Sequence, residues 1–102
     1  MKNLYITDQD FYNYYLSLNN NDRKKLIGMK VSTGVNGDSY KAQIIDIKRN
    51  GKTIITEWLD GIKKDTYTLK NTSNNSVRYS KKGYNFGSIN FNKCEYYRVR
   101  EI

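Results

Sequence analysis

The feature that most constrains the fold of this chain is an Asn50-Gly51 pair between two runs rich in β-branched residues, 40–49 and 52–59. Both central residues of a type I′ turn need a positive φ, which Asn tolerates and Gly adopts freely, so the pair predicts a two-residue β-hairpin. The turn sets Arg49 opposite Lys52. On one side of the ribbon this register pairs Ile47 with Ile54, Ile45 with Thr56, and Gln43 with Trp58. We expect Ile45, Ile47, Ile54 and Trp58 to share one buried face.

Helical periodicity is confined to the first 28 residues. Thr7 can cap a helix over 8–18, in which Phe11, Tyr14, Tyr15 and Leu18 recur at helical spacing. The polar run 19–22 predicts a second cap and a short helix over 23–27, which Gly28 ends. The helix aromatics could form a ligand cage, but an amphipathic helix must bury one face, so we expect them in the core.

From Met29 onward the apolar pattern changes to a period of two. Turn signals separate six predicted strands, at 29–35, 39–49, 52–59, 64–70, 76–82 and 88–100. In the second strand the apolar phase shifts between Ile44 and Ile45, which predicts a β-bulge or a sharp bend. The predicted fold class is α+β. An N-terminal helix, or two short helices, packs on a five- to six-stranded, strongly bent antiparallel sheet that forms an SH3-like barrel.

Length and charge set the domain organisation and the kind of partner. At 102 residues we expect one domain, with a helical segment over 1–28 and a barrel-like sheet over 29–102. The net charge is +8, and residues 62–102 hold nine Lys or Arg against three acids. Such a field attracts nucleic acid, anionic lipid or an acidic protein. We therefore expect the basic surface to lie mainly on the C-terminal strands.

The residues needed for catalysis and metal binding are scarce. The chain has no His and one cysteine, Cys94, which has neither a disulfide partner nor an activating base nearby in sequence. Asp38, Asp46, Glu57 and Asp60 gather around the first hairpin, but turns favour Asp for its bonds to the backbone. We predict no enzyme, and we assign no catalytic residue, metal site or cofactor.

Cysteine usage and hydropathy also indicate a compartment. A lone cysteine fits a reducing cytoplasm. No apolar run is long enough for a signal peptide or a membrane span. We expect a soluble cytoplasmic protein without a membrane partner.

Alternation along the last strands places a basic surface opposite the predicted core. The inward parity holds Tyr67, Leu69, Val77 and Tyr79. The outward parity holds the predicted binding residues Lys70, Arg78, Lys82, Tyr96, Arg98 and Arg100. Cations neutralise phosphates while a ring stacks on bases, as in sheet-based binders of single strands. The alternative is a solvated face that keeps a small protein soluble and discourages edge pairing.

A glycine-flanked aromatic loop, 83–87, extends this predicted site. Lys81 and Lys82 precede it, and tight turns leave backbone N–H groups free for phosphates. We expect Tyr84 to be exposed and to take part in binding. Phe86 is expected to plug the barrel end instead.

A set of turn and strand segments suggests a relationship beyond Gly28. These segments are Gly28-Met29, Asp38-Ser39-Tyr40, Asn50 to Ile54, Tyr67 to Asn71, Val77-Arg78, Lys82-Gly83 and Glu95-Tyr96-Tyr97. Their order resembles a group of small phage and prophage proteins of unassigned function with an SH3-like barrel pattern. The N-terminal helix and the shortened segment between Asp60 and Tyr67 depart from that pattern. The resemblance implies an anti-defence protein, similar to anti-CRISPR proteins, that occludes a host complex.

The predicted function is therefore binding without catalysis. We expect a phage- or mobile-element-encoded protein that engages a host nucleoprotein or its nucleic acid in the bacterial cytoplasm, as a stoichiometric inhibitor of defence. Two alternatives stay open: a direct DNA- or RNA-binding regulator, and a pocket-type sponge for nucleotide second messengers built from Lys, Arg and Tyr. Direct nucleic-acid binding weakens steeply with salt, whereas capture of a folded protein survives moderate salt.

Overall fold

A computed structural model of the protein describes residues 5–35, 38–72, 76–82, 88–92 and Tyr96. Its helices are α1 (Asp8–Ser17) and the one-turn α2 (Asn20–Arg23), which continues into a 3₁₀ turn over Lys24–Leu26. The strands in this part of the chain are β1 (Tyr5–Ile6), β2 (Lys30–Val35), β3 (Asp38–Lys48), β4 (Thr53–Trp58), β5 (Lys64–Asn71), β6 (Val77–Lys81) and β7 (Ser88–Asn92).

The first predicted helix is confirmed, whereas the second begins at Asn20 rather than at Arg23, because Asn19 is its cap. The Thr7 hydroxyl accepts a hydrogen bond from the Asp10 N–H at 3.0 Å, and the Asn19 side chain accepts one from the Asp22 N–H at 2.8 Å. Gly28, with a φ of +93°, follows the 3₁₀ turn. A short polar side chain at each start and a glycine at the end therefore define this segment.

Six antiparallel strands close into a small barrel in the order β2-β3-β4-β5-β6-β7. Strand β7 pairs with β2 along three residues and meets β6 at a single pair, Ser80 with Ser88. Further along, β7 pairs with the two-residue β1. The predicted α+β class is confirmed, and the barrel is compatible with an SH3-like architecture.

The hairpin between β3 and β4 turns at Asn50-Gly51, as predicted. Asn50 has a φ of +56° and Gly51 a φ of +86°, and the Lys52 N–H donates to the Arg49 carbonyl oxygen at 3.2 Å. These are the positive φ values that a type I′ turn requires. Arg49 also has a φ of +56°, so the left-handed stretch begins one residue before the predicted pair. Gly51 also lies against α1, because a Cβ built on it would come within 2.6 Å of Tyr15 Cδ1.

The register of this hairpin changes at the predicted bulge. Ile47 pairs with Ile54 as expected, but beyond Ile45 the pairing slips by one, so that Ile44 lies opposite Thr56. The predicted pairs of Ile45 with Thr56 and Gln43 with Trp58 are therefore wrong. The bulge keeps apolar residues of both parities on the inner face.

The burial predicted for this face is correct only in part. Ile54 is fully buried, as is Ile44, which takes the place expected for Ile45. Ile47 and Trp58 are half-buried and pack against the core. Ile45, the bulged residue, is half-buried as well.

Helix α1 covers the place where β6 and β7 share only one pair. The Asp8 carboxylate accepts a hydrogen bond from the Tyr79 N–H at 2.8 Å, and the Gln9 side-chain oxygen accepts one from the Val77 N–H at 3.1 Å. Phe11 stacks on Phe91 with ring centroids 4.0 Å apart. The helix thus gives the β6 edge the acceptors that a neighbouring strand would supply, and Phe11 lies in the core as expected.

Candidate functional site

Lys70 and Arg78 lie directly opposite each other on β5 and β6. Their chain neighbours Leu69 and Tyr79 pack into the core, so Lys70 and Arg78 point outward, and both are exposed. Like charges placed directly across a sheet destabilise it. A bound anion would relieve this repulsion, as the nearby Asp8 carboxyl does in part for Arg78.

The pair belongs to a larger outward surface, which we call the basic face. It consists of Lys70, Arg78, Lys82, Thr66, Thr68 and Ser80. Thr68 lies opposite Ser80, and the Lys82 N–H donates to the Thr66 carbonyl oxygen at 2.8 Å. Thr66 and Thr68 are half-buried and Ser80 is 6% exposed, so these hydroxyl groups lie at the base of the surface, below the cations. Phosphate oxygens accept hydrogen bonds from hydroxyl groups and from Lys and Arg alike.

A groove of about 260 Å³ runs over the basic face. Its walls are Lys70, Asn71, Thr72, Arg78 and Ser80. Within the described ranges, the ion pairs are formed by four other lysines, Lys25, Lys48, Lys64 and Lys81. The cations of the basic face are thus available to an external anion.

Arg78 also lies near the start of α1, where Asp8 is the first residue. Burial raises the pKa of Asp8, while the hydrogen bond from Tyr79 and the charge of Arg78 lower it, and burial prevails. The basic face therefore adjoins a half-buried carboxyl group at one edge. The Asp8 carboxyl group accepts a hydrogen bond from the backbone N–H of Tyr79 on β6.

The other predicted binding residues divide into two groups. Tyr96 is 8% exposed and packs edge-on against Tyr14, with ring centroids 5.1 Å apart. Its predicted place on the outward surface is therefore wrong, because the backbone at Tyr96 is helical, whereas the alternation assumed a strand through 100. Tyr84, Arg98 and Arg100 lie outside the described residues.

The barrel interior holds a charged pair that the sequence analysis did not identify. Lys81 Nζ lies 3.2 Å from Asp65 Oδ1, and the two side chains are 14% and 3% exposed. Of the two cations that precede the aromatic loop, Lys81 is therefore paired inside the protein. The inward position of Lys81 could have been predicted from the sequence, because the alternation that turns Tyr79 inward turns Lys81 inward as well.

Further polar groups surround this pair. Thr56 lies opposite Asp65, and Tyr67 lies opposite Lys81. Burial raises the pKa of Tyr67 to about 12, and the charge of Asp65 adds to the rise. The Thr33 side chain lowers it somewhat, without completing a hydrogen bond to the Tyr67 hydroxyl. The interior near Asp65 is therefore a polar region inside an otherwise apolar barrel.

An aromatic surface lies at the start of the turn between β4 and β5. Tyr40 stacks on Trp58 with ring centroids 4.4 Å apart, and Lys63 Nζ lies 5.4 Å from the Trp58 centroid. Leu59 and Ile62 in the same turn are exposed, Ile62 by 82%. This surface combines stacked rings, aliphatic groups and a cation.

Among the residues described above, no group of three or more His, Cys, Asp or Glu side chains could hold a metal ion. Cys94 lies outside them. None of the described helices has the length and apolar character needed to cross a membrane.

Comparison with protein-family models, with curated proteins and with solved structures finds no match. No relative therefore indicates a function for this chain.

Proposed function

We propose that this protein binds nucleic acid through its basic face, without catalysis. The observation that supports the proposal is the opposed pair Lys70 and Arg78, two exposed cations on neighbouring strands whose mutual repulsion a bound anion would relieve. Hydroxyl groups of Thr68 and Ser80 adjoin them. This combination matches a phosphodiester backbone.

The chemistry supports affinity more than sequence readout. Lys and Arg neutralise phosphates and release counterions, and Ser and Thr hydroxyls fix the register of the strand. The net charge of +8 raises the local concentration of a polyanion at the surface. We therefore propose binding that depends weakly on base sequence and strongly on salt.

The biological setting that we propose follows from the resemblance to phage and prophage proteins. In that setting the nucleic acid belongs to a host nucleoprotein in the bacterial cytoplasm, and the protein inhibits defence by occupying it. An affinity pull-down from a bacterial lysate, with and without nuclease, tests this setting. Loss of the captured protein after nuclease treatment supports it, and capture that does not change would favour a direct protein partner.

Charge reversal on the basic face is the direct test of the proposal. Lys70→Glu and Arg78→Glu should each weaken binding to fluorescently labelled single- and double-stranded oligonucleotides, measured by anisotropy. Lys70→Ala should lower the slope of log K against log salt by about 1, as loss of one phosphate contact does. Thermal unfolding should change little for Lys70, because exposed substitutions usually stay within about 0.5 kcal/mol.

Lys41→Glu is the matched control, since it makes the same charge change at an exposed lysine on β3 that does not line the groove. It should leave oligonucleotide affinity close to that of the unaltered protein. If Lys41→Glu abolishes binding while Lys70→Glu and Arg78→Glu do not, the basic face is the wrong surface. If none of the three substitutions changes oligonucleotide affinity, the charge of the basic face serves solubility.

A further inference from the structure

A second cavity lies between the helical segment and the β3–β4 hairpin. Its volume is about 530 Å³, within the range of small-molecule sites. Tyr15, Asn20, Arg23 and Lys24 line it from the helices. Ile47 and Asn50 line it from the hairpin. It shares no residue with the basic face.

Arg23 is held in a fixed orientation at this cavity. Its guanidinium carbon lies 4.4 Å from the centroid of the Tyr15 ring, and its Nε donates to the Tyr15 carbonyl oxygen at 3.2 Å. A guanidinium group that is stacked on a ring keeps its terminal N–H groups in the plane of the group, where they can bind an anion. Within the described ranges, no carboxylate forms an ion pair with Arg23 or Lys24.

The remaining walls are mixed in chemistry. Ile27 is 45% exposed and Ile47 is half-buried, so both offer aliphatic surface to a flat ligand. Asn20 and Asn50 carry amides that donate and accept, as the edge of a nucleobase requires. Asp46 adds one acceptor that already binds the Ile47 N–H at 2.8 Å.

We propose that this cavity is a binding site for a mononucleotide. Arg23 and Lys24 would take the phosphate group. The base would lie against Ile27 and Ile47, with the amides of Asn20 and Asn50 at its edge. A bare phosphate would leave most of the cavity unfilled, and a nucleoside would leave the two cations without an anion, so the site fits the whole nucleotide better than either part.

Calorimetric titration of the full chain tests the proposal, with AMP, GMP, CMP and UMP as probes and with inorganic phosphate and adenosine as the separated parts. At least one nucleotide should bind more tightly than inorganic phosphate and more tightly than adenosine. Lys24→Ala should weaken that nucleotide by about tenfold, the loss expected for one charge-assisted hydrogen bond. Arg23→Ala should weaken it further, because it removes both the phosphate contact and the stacked plane.

Lys41→Ala is the matched control, because it removes an exposed lysine charge from β3, outside both the cavity and the basic face. It should leave nucleotide affinity unchanged. Lys70→Ala removes a charge from the basic face, so comparing it with Lys24→Ala separates binding at the basic face from binding in the cavity. The proposal is overturned if no nucleotide binds more tightly than phosphate. It is also overturned if Lys70→Ala weakens the nucleotide as much as Lys24→Ala does.

Discussion

Lys70 and Lys81 are the same kind of side chain on neighbouring strands, yet their surroundings give them different roles. Lys70 is exposed and faces another cation, whereas Lys81 lies inside the barrel beside Asp65. An exposed cation is available to a ligand, and a buried one is bound to its counter-ion. Charge alone therefore does not identify the site, and the parity of each residue on its strand does.

Removing one partner of the buried pair should strongly destabilise the fold. Lys81→Met leaves the Asp65 carboxylate buried without a counter-charge, which typically costs about 3–5 kcal/mol of unfolding free energy. Asp65→Asn added to Lys81→Met should recover most of that loss. Urea denaturation measures both. Lys64→Met is the control, because its 3.9 Å pair with Glu57 is exposed and contributes less than about 1 kcal/mol. An equal loss for both lysines would contradict the burial described.

The Asp8 carboxyl should make stability depend on pH in the acid range. Its pKa in the fold lies above the ordinary value of 3.8, chiefly through burial, so the folded state holds the proton more tightly than the unfolded chain. The contribution of Asp8 to the unfolding free energy is therefore greatest below 3.8 and falls as pH rises through the raised pKa. Asp8→Asn keeps an acceptor for the Tyr79 N–H but does not titrate.

Urea denaturation of both proteins between neutral pH and about pH 4 measures this effect. The unaltered protein should gain stability relative to Asp8→Asn as the pH falls. A difference between the two that does not change with pH would show that Asp8 has an ordinary pKa.

The β3–β4 hairpin shows at the scale of one element what local sequence determines. The turn at Asn50-Gly51 and the bulge near Ile45 could be predicted, because both depend on residues adjacent in the chain. The register beyond the bulge could not be predicted, because the shift in the apolar pattern does not show which residue is left unpaired. A slip of one then exchanged Ile44 for Ile45 in the core.

Gly51 joins the hairpin to the helix, and its substitution should show this. Gly61→Ala places a side chain at a φ of +77° with open space around it, so it should cost about 1–2 kcal/mol. Gly51→Ala adds a clash with the Tyr15 ring, for which overpacking adds about 1–3 kcal/mol. Chemical denaturation of the two variants gives the difference. Equal losses would mean that Tyr15 moves aside freely.

At the scale of the whole molecule, the proposed binding sites lie on different elements. The basic face belongs to β5 and β6, and the nucleotide cavity lies between the helices and the β3–β4 hairpin. The basic face could be predicted for Lys70, Arg78 and Lys82, since alternation on two strands suffices. The cavity could not, because it depends on how the helical segment docks on the barrel, and no local pattern encodes that contact.

The contacts between α1 and β6 have a consequence for how the chain is made. Asp8 and Gln9 leave the ribosome well before the backbone groups that they bind, which follow them by 71 and 68 residues. The helix therefore has no docking surface until nearly every strand of the barrel has been synthesised. Helix α1 is thus among the last parts of the fold to find its place, and until then its aromatic side is open to the chaperones that meet a nascent chain.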